Sequence, residues 1–197
     1  MNEIMQNRYS CREYKNEKIN DDLVKEIISL TRLTPSSLAL EPWKFVVVSK
    51  ELDQFAKCCY NQNQVATASH AVVIMARTDL RSDDKFLSDI IKQKGKDEDK
   101  FREYLGKVGA KMDAMSQKDL EHYASLQCYM ACANLINIAY SKGVKSCIIG
   151  GFDQDKVEKY LNLDPKFKAC IVISLGLSDA KSTPKIRQSL NEVMEWI

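Results

Sequence analysis

Hydrophobic positions fall into two periodicities along the chain. After Asn20-Asp21-Asp22, Leu23, Ile27 and Leu30 recur at helical spacing. An Asn cap and first-turn acids suit a helix start, so a helix is predicted to about Leu33, where Pro35 stops it. Trp43 to Ser49 (WKFVVVS) is rich in β-branched and aromatic residues and reads as a strand. Residues 51–61 look helical. Ala71 to Arg77 (AVVIMAR) is apolar without alternation, which predicts a strand covered on both faces. Asp119 to Lys142 reads as a long helix ended by Gly143, apolar on most sides through Leu120, Tyr123, Leu126, Tyr129, Met130, Leu135, Ile136 and Ile138. Such a helix must be buried, centrally or at an oligomer interface. Val144 to Ile149 is a short strand, Asp153 to Leu161 a helix, and Ala169 to Leu177 a further buried strand. Between 79 and 118 lies a Lys/Asp/Glu-dense stretch with isolated apolar residues, read as a solvent-facing helical excursion. Few strands and dominant helices predict an α+β domain spanning 1–197, with helices covering a small mixed or antiparallel sheet.

Composition narrows the function. The chain has 197 residues, with 29 Lys+Arg against 27 Asp+Glu, a formal charge of +2. No basic field of the kind duplex nucleic acid demands is present. No apolar run approaches the roughly 20 residues that span a bilayer, and the first twenty residues lack an apolar signal core, so a cytoplasmic setting is expected. The 7 glycines all lie at or after Gly95. A dinucleotide fingerprint or phosphate loop needs clustered glycines, so any nucleotide phosphate must be held by side chains. Only His70 and His122 are available for histidine chemistry. The 7 cysteines read as reduced, packing thiols; a metal on Cys128, Cys132 and His122 is outweighed by the bland reading of free cysteine as a small hydrophobe.

Three stretches carry chemistry. Arg8-Tyr9-Ser10-Cys11-Arg12 places two guanidinium forks at i, i+4, a spacing that shares a face in a helix. Pro35-Ser36-Ser37 precedes Glu41-Pro42-Trp43 at a strand start. Ser146-Cys147-Ile148-Ile149-Gly150-Gly151-Phe152-Asp153 holds the one adjacent glycine pair, where backbone N–H groups can approach a flat ligand. Each alone is weak. In order, and with ASHAVVIMA and Lys185-Ile186-Arg187, they resemble the FMN-dependent nitroreductase family nearly end to end. The SCIIGGFD wording is especially similar to the oxygen-insensitive, metronidazole-activating subgroup.

The resemblance implies a three-layer sandwich forming an interlocked homodimer, with FMN at each interface and the 178–197 tail exchanged between subunits. It implies that Arg8, Ser10, Lys185 and Arg187 hold the phosphate, and that Arg12 and Asn61 meet the pyrimidine edge. Ser36 and Ser37 come from the partner chain, and the backbone of Gly150 or Gly151 donates to flavin N5. Tyr9, Pro35, Gln64 and Ile149 are further expected contacts, and no metal is implied. NADPH or NADH would donate hydride, and a nitroaromatic, nitroheterocycle or quinone would accept it in a ping-pong cycle. The 79–118 excursion is expected to roof the pocket. Departures from the family pattern are Ala39, Glu41, Gln64 and Gly150, which bear on acceptor range. The competing readings are a flavin, quinone or pterin reductase on the same fold, and a flavin-binding redox sensor using Cys11 or Cys147.

Overall fold

The computed structural model describes every residue except 95 and 96, which fall inside the charged excursion. Four strands, β1 (Trp43–Val48), β2 (His70–Arg77), β3 (Lys145–Ile149) and β4 (Phe167–Gly176), form one sheet in the order β1-β2-β4-β3. Every strand pair is antiparallel, so the mixed alternative is excluded; a parallel bridge joins Ser10, outside the strands, to Ser146 of β3.

β2 shows why its sequence is continuously apolar. Val72, Ile74 and Ala76 face one core, and Ala71, Val73 and Met75 face the other. The first core is covered by α2 (Asp21–Thr31), α5 (Lys85–Lys92), α6 (Glu98–Asp113) and α7 (Gln117–Ser141), through residues such as Ile27, Leu87, Met112 and Leu135. The second is covered by α3 (Leu52–Cys58), α4 (Asn63–Ala66) and α8 (Gln154–Leu161), through Phe55, Cys58, Val65 and Val157. Helices on both faces of one sheet give the three layers. In β4, Ile171 and Ala169 pair with the neighbours Ile74 and Met75, leaving Cys170 as the extra residue of a bulge.

α7 begins two residues before the predicted start, because Ser116 caps it through Asp119 N; Gly143 closes its end at φ 78°. Its inward face is buried, but Leu126 is 51% and Tyr129 52% exposed, with Met130 beside them. Full burial within one chain is therefore not what the structure shows. The excursion folds as the helices α5 and α6. Arg81 donates to the carbonyls of Met112 and Met115 at the C-terminal end of α6, at 2.5 and 2.8 Å. The chain start forms α1 (Asn2–Asn7), and a short α9 (Leu190–Val193) interrupts an extended tail whose Ile186, Trp196 and Ile197 are exposed. Among the described residues no helix is long and apolar enough to cross a membrane.

Candidate functional site

The arginine motif is not helical. Arg8 leaves α1 with extended backbone at φ −61° and ψ 135°, and the chain then runs beside β3. The i, i+4 argument fails because the segment is stabilised by a distant strand: Cys11 N donates to Ser146 O at 3.0 Å. In extended chain the side-chain period is two, so Arg8, Ser10 and Arg12 share a face and Tyr9 and Cys11 the other. Cys11 is accordingly buried while Ser10 and Arg12 are exposed. Tyr9 holds the tail instead, donating its hydroxyl to Ala180 O at 2.5 Å.

That tail brings Lys185 back to the same place. Its ammonium donates to Met5 O and Gln6 O, at 2.5 and 2.7 Å, the carbonyls that end α1. Partial desolvation first, then the nearby Arg8 and Arg187, push the Lys185 ammonium below its usual range. Arg8, Lys185 and Arg187 have no carboxylate partner among the described ion pairs, so their mutual repulsion is left uncompensated by acidic side chains. Ser10 supplies the hydroxyl.

The parallel bridge seats Ser10 beside Ser146 of β3, and Arg12 lies close enough to Cys147 to pull its thiol down. Beyond buried Ile149 come Gly150 and Gly151, both exposed. A Cβ at Gly150 would meet nothing within 4 Å, so this turn offers open backbone and not a conformation that only glycine can adopt.

Gln64 reaches that turn through Gln62, which follows Asn61 in the chain. Gln62 donates to Gly151 O at 2.7 Å and to Cys59 O at 3.0 Å, and accepts from Gln64 Nε2 at 2.9 Å. Tyr60 and Asn61 adopt left-handed backbone, φ 53° and 55°, to make the turn. Asp153 N donates to Cys58 O at 2.8 Å, and its carboxylate caps α8 through Lys156 N at 3.1 Å. These contacts clamp the glycine turn to the end of α3. β3 thus connects the two ends of a strip: Ser10 is bridged to its Ser146, and its C-terminal end runs into the glycine turn that Gln62 clamps.

The serine loop stands apart. Ser36 Oγ accepts from Glu41 N at 2.9 Å, and Ser37 N donates to Gln127 of α7 at 2.8 Å; Pro35 is exposed at the loop's entrance. None of the hydrogen bonds or ion pairs among the described residues joins Pro35, Ser36 or Ser37 to the strip. Lys94 bonds Glu41 at 2.8 Å, and Tyr104 donates to Leu38 O at 3.2 Å, so α6 and the end of α5 brace the loop. Gln127 and Gln62 were both missed. Their signal is a glutamine in an apolar helical face and in an Asn-Gln-Asn-Gln run.

The cysteines are free thiols, with Cys170 half-buried and the rest buried. Burial pushes Cys59 and Cys132 up to about 12, and raises Cys147 against the opposing pull of Arg12. Buried thiols of this kind are inert, which weighs against a thiol sensor.

The strip fits a flavin mononucleotide: a multivalent anion site at one end, open backbone donors at the other, and a cation between. Comparison with known proteins points the same way. A family model described as "Nitroreductase family" matches residues 5–177. YfkO of Bacillus subtilis, named provisionally as an NAD(P)H nitroreductase, is 33% identical over 96% of this chain and 94% of its own. The protein of Helicobacter acinonychis named "Oxygen-insensitive NADPH nitroreductase" is 30% identical over 99% of this chain and 95% of its own. A nitroreductase from Exiguobacterium sibiricum, solved in complex with FMN, superposes with a TM-score of 0.85 at 22% identity, covering 99% of this chain and 96% of that one. With a family match across most of its length and relatives at this identity, the chain belongs to the nitroreductase family.

Proposed function

We propose that this protein is an FMN-dependent oxidoreductase that takes hydride from NADPH or NADH and delivers it to a flat, electron-poor acceptor such as a nitroaromatic, a nitroheterocycle or a quinone. The observation that carries the reading is the single strip joining Arg8, Ser10, Lys185 and Arg187 to Arg12 and the open Gly150-Gly151 turn. FMN, when bound, supplies a ring that accepts a hydride at N5 and gives it up again. Arg8, Lys185 and Arg187 hold its phosphate by charge-assisted hydrogen bonds, with the Ser10 hydroxyl beside them. Arg12 offers a fixed positive charge to the pyrimidine edge, where negative charge develops on reduction. Asn61 and Gln64 complete that edge, Ile149 supports it from the buried side, Tyr9 is a contact at the phosphate end where it holds the tail, and the backbone N–H of Gly150 or Gly151 is offered to N5. No side chain of this chain is required as a proton donor.

Two features support a homodimer with FMN at the interface. One is the exposed apolar side chains Leu126, Tyr129 and Met130 of α7, with Leu30 of α2 and Leu33 just after it. The other is the tail, whose Trp196 and Ile197 find no docking surface in their own chain. A partner chain would cover both and bring its Pro35, Ser36 and Ser37 to the flavin. The soluble, cytoplasmic setting is part of the same proposal.

Gly150 leaves the floor of the pocket open, which favours bulky planar acceptors over small ones. The flavin, quinone or pterin reductase reading shares every one of these contacts and differs only in acceptor. Initial rates measured while NADPH and a nitroaromatic are varied together test the cycle. Parallel double-reciprocal lines are expected if donor and acceptor use one face in turn; intersecting lines contradict that order.

A further inference from the structure

We propose that Gln127 is a positioning residue: it fixes the Ser36–Glu41 loop against α7 and thereby sets how that loop meets the flavin. The inference rests on the FMN reading above and extends it to a residue that would not touch the cofactor. Gln127 is 6% exposed on the core side of α7. A buried amide is costly unless its polar atoms are paired. Its Oε1 accepts from Ser37 N at 2.8 Å, and its Nε2 donates to Tyr123 O at 3.3 Å. Only one orientation of the amide satisfies both partners, because Ser37 N needs an acceptor and Tyr123 O a donor.

The loop needs such a tie. Leu38, Ala39 and Glu41 adopt left-handed backbone, φ 57°, 52° and 49°, and none is glycine. Side chains of this kind avoid that region, so the conformation persists only where surroundings impose it. Within the loop, Ser36 Oγ accepts from Glu41 N and closes the turn on itself. Its attachment to α7 runs through Ser37, by Gln127 at the N–H and by the Tyr123 hydroxyl at the carbonyl, 3.3 Å. Packing alone gives no reason for a glutamine here; leucine or methionine would fill the space without desolvating an amide.

The test compares Gln127→Met with Gln127→Glu in the full-length protein. Methionine keeps the volume and removes the acceptor, whereas glutamate keeps an acceptor for Ser37 N. The expected result is an FMN Kd about tenfold higher in Q127M and within about threefold of wild type in Q127E. The absorption maximum of bound flavin and its midpoint potential should shift in Q127M alone. Wild-type Kd, spectrum and potential in Q127M overturn the proposal, as does an equal loss in both variants. If Q127M does not fold, Tyr123→Phe removes the second tie to Ser37 and takes its place; a Kd raised about threefold with a shifted spectrum supports the proposal, and wild-type values overturn it. Failure of the wild-type protein itself to take up FMN refutes the cofactor reading instead, so the two failures are distinguishable.

Discussion

Gly176→Ala tests how the arginine segment is seated. Gly176 ends β4, and a Cβ built there would lie 2.5 Å from Tyr14 Cγ and 3.0 Å from Tyr14 Cβ. These are the root of the ring and not a flexible tip. Carbon atoms rest at about 3.5–4.0 Å, so the ring must retreat by about 1 Å. Tyr14 is not free to do so: its hydroxyl lies 3.1 Å from Ser174 O and 2.9 Å from Ser174 Oγ, and the next residue's N–H, of Lys15, donates to Leu177 O at 2.8 Å. A retreat of that size breaks both hydroxyl contacts. Overpacking costs about 1–3 kcal/mol and each lost hydrogen bond about 1 kcal/mol, giving about 3–5 kcal/mol in all. At this chain length that lowers Tm by about 10 °C. Because Tyr14 follows Arg12 by two residues, FMN affinity should fall as well. Thermal denaturation of the apoprotein and a fluorescence titration with FMN read the two effects. In a Tyr14→Ala background the same glycine substitution should cost under about 1 kcal/mol, since the ring is gone and only the Cβ contact is left, with no hydroxyl bonds to break as it yields. An unchanged Tm in G176A, or an equal loss in both backgrounds, refutes the reasoning.

Three further outcomes are expected. Arg187→Ala removes one charge-assisted phosphate contact and should weaken FMN binding by about 1.5–3 kcal/mol, read by equilibrium dialysis; unchanged affinity would show that the tail cation does not meet the phosphate. Deletion of residues 178–197 should abolish both flavin retention and the dimer in analytical ultracentrifugation, and a flavin-loaded dimer surviving truncation would refute tail exchange. The Asp153 carboxylate is held below its usual range by the Lys156 N–H and then the Lys156 ammonium, so its contribution is present above the ordinary carboxylate range and is lost as pH falls through its lowered value. Asp153→Asn should flatten the acid-stability curve below the ordinary carboxylate range, and an identical curve in the variant would show that the cap does not titrate with stability.

The sheet was legible because burial on two faces leaves a plain mark: six apolar residues of β2 in a row, Ala71 to Ala76, divide alternately between two cores. α2 was legible through its Asn20 cap, whose side chain accepts from Asp22 N at 2.8 Å. The arginine motif was read with the wrong period. Its extended form depends on Ser146, 136 positions later, and local spacing cannot report a partner that far away. The serine loop hid its geometry for another reason, since its left-handed residues are Leu, Ala and Glu, and no glycine marked them. Gln62 and Gln127 were unreadable alike: each is a polar residue whose partner is loop backbone 89 or 90 positions away along the chain. The exposed face of α7 was readable as apolar but not as outward, because periodicity shows which residues share a face and not what covers it. The joining of Arg8 to Lys185 and Arg187 was visible only through the family resemblance, since chain ends carry no local sign of meeting.

The cation strip and open glycine turn make one central claim, that this chain binds a flavin reducible by a nicotinamide. The direct measurement is a visible absorbance spectrum of the purified protein, loaded with FMN, before and after anaerobic addition of NADPH. Flavin bands that remain with the protein on gel filtration and bleach on NADPH addition are the predicted result. A protein that stays colourless after incubation with FMN, or a bound flavin that neither NADPH nor NADH bleaches, would contradict it.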